Sequence, residues 1–160
     1  MIKVYIEKTR QDAKIPVYAQ DYDAGMDICA CEDIVLDVNS TKIIPTGLKV
    51  AIPEGYEIQI RPRSGLSLNT RLRISNSPGT IDTGYRGEIG VIMHNSSIIN
   101  EGDFDITEKQ NRQGVYHIKK GDRIAQIVLQ KVPRIQFVET ESVADIGKDR
   151  GGGFGSTGVR

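Results

Sequence analysis

Asp82 stands in the stretch Asn76-Ser77-Pro78-Gly79-Thr80-Ile81-Asp82-Thr83-Gly84-Tyr85-Arg86-Gly87-Glu88-Ile89-Gly90-Val91, a carboxylate set among turn-formers. A carboxylate at a hairpin mouth can act as a base on water. It can equally be a turn residue bonded to its own backbone, and the residues alone leave both readings open. Arg63 and Ser64, in Arg61-Pro62-Arg63-Ser64-Gly65, offer a guanidinium suited to bidentate phosphate contact and a hydroxyl donor. The plainer reading of that loop is a solvated charged turn. Asp27 follows Ala24-Gly25-Met26, where small residues let another element come close; read alone it is a strand-edge carboxylate. The C-terminus, Gly147-Lys-Asp-Arg-Gly-Gly-Gly-Phe-Gly-Ser-Thr-Gly-Val-Arg160, offers successive unobstructed N–H groups that can cradle an anion. Alone it is a disordered tail. It is not a Walker loop, because no Gly-Lys-Ser/Thr ending occurs and no helix follows.

These groups need strands to hold them. Short apolar or alternating runs recur at Val4–Ile6, Ile34–Leu36, Ile43–Ile44, Leu48–Ile52 and Tyr56–Ile60, each bounded by Pro, Gly, Asn or Asp. Pro53-Glu54-Gly55 reads as the turn between two antiparallel strands. Pro78-Gly79 and Thr83-Gly84 read as turns inside a two-stranded hairpin, with Ile89, Val91 and Met93 alternating on its outgoing strand. Gly65–Leu72 is the best place for a short helix, with Leu66 and Leu68 partly buried and Arg71 and Arg73 as surface charges. Ile118–Asp122 is a turn leading into the apolar-rich strand Arg123–Val132, where Asp122 and Arg123 hold the turn or a subunit contact. Arg134–Val138 reads as a last core strand. Many short strands with evenly spaced turns predict an all-β sandwich, jelly roll or barrel.

The 160 residues suit one domain with its own core. Twenty-one basic and 21 acidic residues cancel, so no basic field predicts stable nucleic-acid binding. No apolar run approaches the ~20 residues of a membrane span, and the N-terminus has no signal-peptide core. Cys29 and Cys31 share one face of a strand and are poorly placed to bridge, and with only His94 and His117 beside them a zinc site is not expected. A reducing, cytoplasmic compartment fits this cysteine usage.

Gly79-Thr-Ile-Asp82-Thr-Gly-Tyr85-Arg-Gly87 resembles the third motif of the trimeric dUTPase family. Ala24-Gly25-Met26-Asp27-Ile28, Pro62-Arg63-Ser64-Gly65, Gly121-Asp122-Arg123-Ile124-Ala125-Gln126 and Arg150-Gly-Gly-Gly-Phe154-Gly-Ser-Thr-Gly158 resemble its other motifs, in the right order. The resemblance runs from about residue 20 to the C-terminus.

It implies a distorted jelly-roll or β-barrel subunit with one short helix, assembled as a homotrimer with shared active sites. The implied reaction is Mg2+-assisted hydrolysis of dUTP to dUMP and pyrophosphate, with Asp82 as general base. Arg63, Ser64, Gly65 and Gln126 are implied phosphate contacts. Asn76, Gly79 and Gly90 are implied to form the uracil pocket, with Tyr85 against the deoxyribose. Asp27 is implied to hold a water of the magnesium shell, the ion itself being held mainly by the triphosphate. The body is expected over 1–146. A flexible arm over 147–160 is expected to close on a neighbouring site through Arg150, Phe154, Gly155, Ser156 and Thr157. Most relatives place one more residue between the Arg and the Phe. The related deoxycytidine triphosphate deaminases carry a catalytic Glu where this chain has Ile92, which disfavours deamination. A binding protein that keeps the nucleotide pocket is the second alternative. Residues 97–114 are an insertion relative to most members, as in some phage-borne ones. They read either as a tolerated surface decoration or as a docking surface for a protein partner.

Overall fold

In the computed structural model the described residues are 1–149, 151 and 152. Twelve strands and one helix follow in order: β1 Tyr5–Lys8, β2 Met26–Cys29, β3 Ile34–Leu36, β4 Thr41–Pro45, β5 Leu48–Ala51, β6 Tyr56–Arg61, α1 Ser64–Asn69, β7 Leu72–Ile74, β8 Gly79–Ile81, β9 Gly90–Asn95, β10 Asp103–Asp105, β11 Val115–Ile118 and β12 Arg123–Lys131. They form four small sheets, β1-β5, β10-β11-β3, β2-β12-β6-β8 and β4-β9-β7, around one apolar core. The all-β jelly-roll expectation stands.

The core follows from the alternation of apolar residues. On β9, Val91, Met93 and Asn95 point inward, and on β6 Ile58 and Ile60 do the same. Buried Asn95 is satisfied by donating to the carbonyls of Leu36, Asp37 and Gly114 and accepting from Ser97 N–H. That network closes polar groups which would otherwise be expensive inside the core. Cys29 and Cys31 are free thiols.

Five expectations need correction. Arg134–Val138 is no strand: Ile135 and Phe137 are 74% and 88% exposed on a segment that leaves the body after β12. Residues 97–114 are more than a surface excursion, although most of them are exposed. β10 pairs in parallel with β11, and Phe104 and Ile106 join the core, with Phe104 against Tyr116 at 5.9 Å between ring centroids. The proposed hairpin is split, because β8 joins β6 while β9 pairs with β7 and β4. The Pro53–Gly55 turn likewise feeds two different sheets, β5 pairing with β1 and β6 with β12 and β8. Helix α1 stops at Asn69, where the Thr70 hydroxyl and N–H both donate to the Leu66 carbonyl, and only Leu66 of its two leucines is buried. Arg73 lies at the surface as expected; Arg71 is half-buried, with an Nε that has no partner among the described residues.

Candidate active site

The predicted residues fall into two groups, one on the β2-β12-β6-β8 sheet and one around the turn that leaves β8. The antiparallel register sets Asp27 of β2 opposite Gln126 of β12, and Gln126 opposite Arg61 of β6. Just past β6, Arg63 turns back over this end of the sheet. Its Nε donates to Asp27 Oδ1 at 2.9 Å and its Nη1 to the Arg123 carbonyl at 3.2 Å. Arg123 Nη1 donates to Asp27 Oδ2 at 3.2 Å, and Gln126 Nε2 to Asp27 Oδ1 at 3.3 Å. One carboxylate thus anchors two guanidinium groups and cannot neutralise both. The remaining positive charge suits this shoulder to phosphate oxygens.

The sequence places Arg123 in a turn or a subunit contact, whereas the structure sets its guanidinium against Asp27. The spacing of β12 carried the signal only once its register against β2 was known. Asp122 does hold the turn, its carboxylate accepting the Lys119 N–H at 2.8 Å. Two clefts open beside the shoulder and meet at Gly121 and Arg123. One, of about 390 Å³, is bounded by Arg63, Gly65 and Asn69 on one side and Thr107 and Lys109 on the other. The second, of about 370 Å³, includes Lys14, Asp27, Cys29 and Gln126. Burial pushes the Cys29 thiol up, so it stays protonated at neutral pH and offers no nucleophile.

The second group lies beyond β8. Asp82 is exposed, and its main-chain carbonyl accepts the Tyr85 N–H at 3.0 Å, closing the turn. The Thr83 hydroxyl fastens this turn to the Tyr56 carbonyl at 2.8 Å. The Asp82 carboxylate makes no hydrogen bond or ion pair among the described residues, which leaves it free to accept a proton. Tyr85 lies across Gly87, where a Cβ would collide with its ring, and its hydroxyl donates to the Glu88 carbonyl at 2.8 Å. Gly90 is held to glycine by Ile43 on the paired strand β4. The Asn76 amide lies over buried Gly79, about 3.2 Å from where a Cβ would stand. Asp82 borders a cleft of about 460 Å³ with Tyr56, Glu57, Gly84 and Arg134.

The same sheet fixes how the two groups relate. Glu57, Gln59 and Arg61 alternate along one face of β6, bonded in series through Gln59 at 2.6 and 2.7 Å. Gln126 and Asp27 share that face by register, and Asp82 continues it one residue past the Ile81–Ile58 pair. Yet Asp82 lies three strands and four residues from Asp27, about 20 Å at ordinary strand spacings. Within one chain they share a surface and do not meet. Arg150, Phe154, Gly155, Ser156 and Thr157 lie outside the described residues.

For a hard cation, Asp27 is the one carboxylate on the shoulder, and no group of three His, Cys, Asp or Glu side chains able to hold a metal occurs among the described residues. A magnesium ion here would take most of its oxygens from elsewhere, which fits one carried by a ligand's phosphates. Among the described residues no helix is long and apolar enough to cross a membrane.

A family model described as dUTPase matches residues 11–158. The deoxyuridine 5'-triphosphate nucleotidohydrolase of Alkaliphilus metalliredigens is 41% identical over 160 residues, covering 100% of both chains. That of Rickettsia bellii is 45% identical over 148 residues, covering 91% of this chain and 88% of the relative. Among solved structures, a mutant dUTPase from phage phi11 of S. aureus, in which a structural Mg(II) ion is coordinated, matches with TM-score 0.79 and 32% identity over 88% of this chain and 97% of that one. The Staphylococcus bacteriophage 80alpha dUTPase, as a mutant with dUpNHpp, matches with TM-score 0.81 and 32% identity over 98% and 99%.

Proposed function

The chain belongs to the dUTPase family, and from that we propose that it hydrolyses dUTP to dUMP and pyrophosphate with Asp82 as the general base. Asp82 takes a proton from water as the water oxygen bonds to the α-phosphorus. The bond from that phosphorus to the bridging oxygen breaks, and pyrophosphate leaves with the electron pair. Arg63, Ser64, Gly65 and Gln126 hold the phosphate chain in line, so that positioning and charge complementarity supply most of the rate. Asp27 would hold a water of a magnesium ion bound to the triphosphate, and that ion would supply charge neutralisation along the phosphate chain. Asn76, Gly79 and Gly90 bind uracil through the main chain and an amide. Such a site leaves buried groups unpaired against cytosine, a mismatch worth ~10⁴-fold or more. Tyr85 packs on the deoxyribose.

The observation that carries this reading is the separation on one face of the sheet. The phosphate shoulder and the base are both present and about 20 Å apart within a chain, so a site using both draws Asp82 from another copy. The exposed apolar segment at Ile135, Phe137 and Val138 supports the same conclusion, since a second copy would cover it. We therefore infer a homotrimer, with the body over 1–146 and the arm over 147–160 closing each site through Arg150, Phe154, Gly155, Ser156 and Thr157. Bacterial and phage relatives support a cytoplasmic site of action. Pyrophosphate release measured in parallel with dUTP, dCTP, dTTP and UTP tests the reading. Turnover of dUTP alone is expected; ammonia release from dCTP, or dUTP held without product, would overturn it.

A further inference from the structure

We propose that Lys109 is an additional phosphate-binding residue, delivered to the triphosphate cleft by the 97–114 segment; this rests on the reading of that cleft given above. The cleft beside Arg63 has two walls of different origin. One is the Arg63–Asn69 turn and helix; the other is Ile106, Thr107 and Lys109. The second wall is built into the fold. Ile106 is buried, and its N–H donates to the His117 carbonyl at 3.2 Å. Asp105 caps the turn by accepting from Thr107 N–H at 3.0 Å and from its hydroxyl at 2.7 Å, and it pairs with Lys119 at 2.7 Å. Glu108 accepts the Asp105 N–H at 3.1 Å.

The far side of the segment is tied to the first wall. The Asn111 N–H donates to the Asn69 carbonyl at 2.9 Å, with Asn111 at φ 45°, a left-handed conformation that asparagine tolerates. Lys109 therefore comes from a braced turn and lines the same cleft as Arg63, together with Gly121, Asp122 and Arg123. Its charge is uncommitted: among the described residues Lys109 makes no ion pair, whereas Arg63 and Arg123 share Asp27. Of the residues lining the cleft Asp122 is the one acid, and it already caps the 119–122 turn. Even with Asp27 counted against Arg63 and Arg123, three cations outnumber two carboxylates, which suits a multiply charged anion, and a flexible ammonium suits its outer oxygens.

The test uses the two products as probes on the full-length protein with magnesium. Calorimetric titration of pyrophosphate into Lys109→Gln should show affinity weakened about three- to tenfold, with dUMP affinity changed by less than about twofold. KM for dUTP should rise by a similar factor at unchanged kcat, and Lys109→Arg should restore both. Equal pyrophosphate affinity in wild type and Lys109→Gln overturns the proposal. So does a joint loss of pyrophosphate and dUMP that Lys109→Arg does not restore, since that assigns the residue to the fold. A wild-type protein that binds neither product overturns the reading of the cleft itself, and this inference with it.

Discussion

The shoulder around Asp27 and the turn around Asp82 lie on one face of one sheet and are held in opposite ways. Asp27 is fastened by Arg63, Arg123 and Gln126 from two other segments, so this shoulder is assembled within one chain without a ligand. Around Asp82 the backbone is fastened, while among the described residues nothing bonds the carboxylate. A phosphate-binding surface gains from preorganised donors, because reorienting them later would cost free energy. A base must give up its contacts to take a proton, so committing it to an arginine would blunt it. The difference teaches how the two acids divide: Asp27 is crosslinked into the shoulder, and Asp82 keeps the uncommitted carboxylate that the proposed base requires.

The largest effect should come from removing the free acid. Asp82→Asn should lower kcat about 10²–10⁴-fold while leaving the melting temperature unchanged, because the exposed carboxylate makes no hydrogen bond or ion pair among the described residues; near-normal turnover would erase the proposed asymmetry. Next, co-expressed Asp82→Asn and Arg63→Ala chains, each inactive alone, should recover about a quarter of wild-type activity by random assortment within symmetric oligomers. No recovery in purified mixed oligomers would mean that both groups act within one chain.

A stability test sharpens the comparison by asking whether the shoulder's far wall is structural. Phe104→Ala should cost about 3–5 kcal/mol, as large aromatic truncations in cores do, read by denaturant unfolding. A cost near zero would return residues 97–114 to the role of decoration. The smallest effect concerns acid. Lys119, then Thr107, hold the Asp105 carboxyl down to about 2, below its ordinary 3.8. A depressed folded value stabilises the native state above the ordinary value, and that contribution is lost as pH falls from about 4 toward 2. Wild type should therefore lose more melting temperature between pH 4.5 and 2.5 than Asp105→Asn; equal losses would sever the link between this pair and the segment.

Much of this was legible in the chain. The alternation at Ile89, Val91 and Met93, the turn at Pro53–Gly55 and the break before α1 all follow from local sterics and side-chain period. The misreadings share a cause. Arg134–Val138 looks like a strand because apolar residues alternate there, but period alone does not say whose surface they cover. Residues 97–114 look like a loop because polar residues dominate, yet two apolar anchors, Phe104 and Ile106, suffice to seat the segment. The hairpin was mispaired because β8 and β9 adjoin in sequence, and adjacency does not fix pairing in a jelly roll.

By itself the sequence determined the residue types that can do the chemistry, the family and the β period, because motifs and local propensities are properties of neighbours along the chain. Only the tertiary structure decided that Asp27 is shared by two arginines, that Asp82 stands apart from them, and that Lys109 lines one cleft with Arg63. Those facts depend on strand register and sheet order, which arise from contacts between residues up to about a hundred positions apart and leave no mark in any short window of sequence.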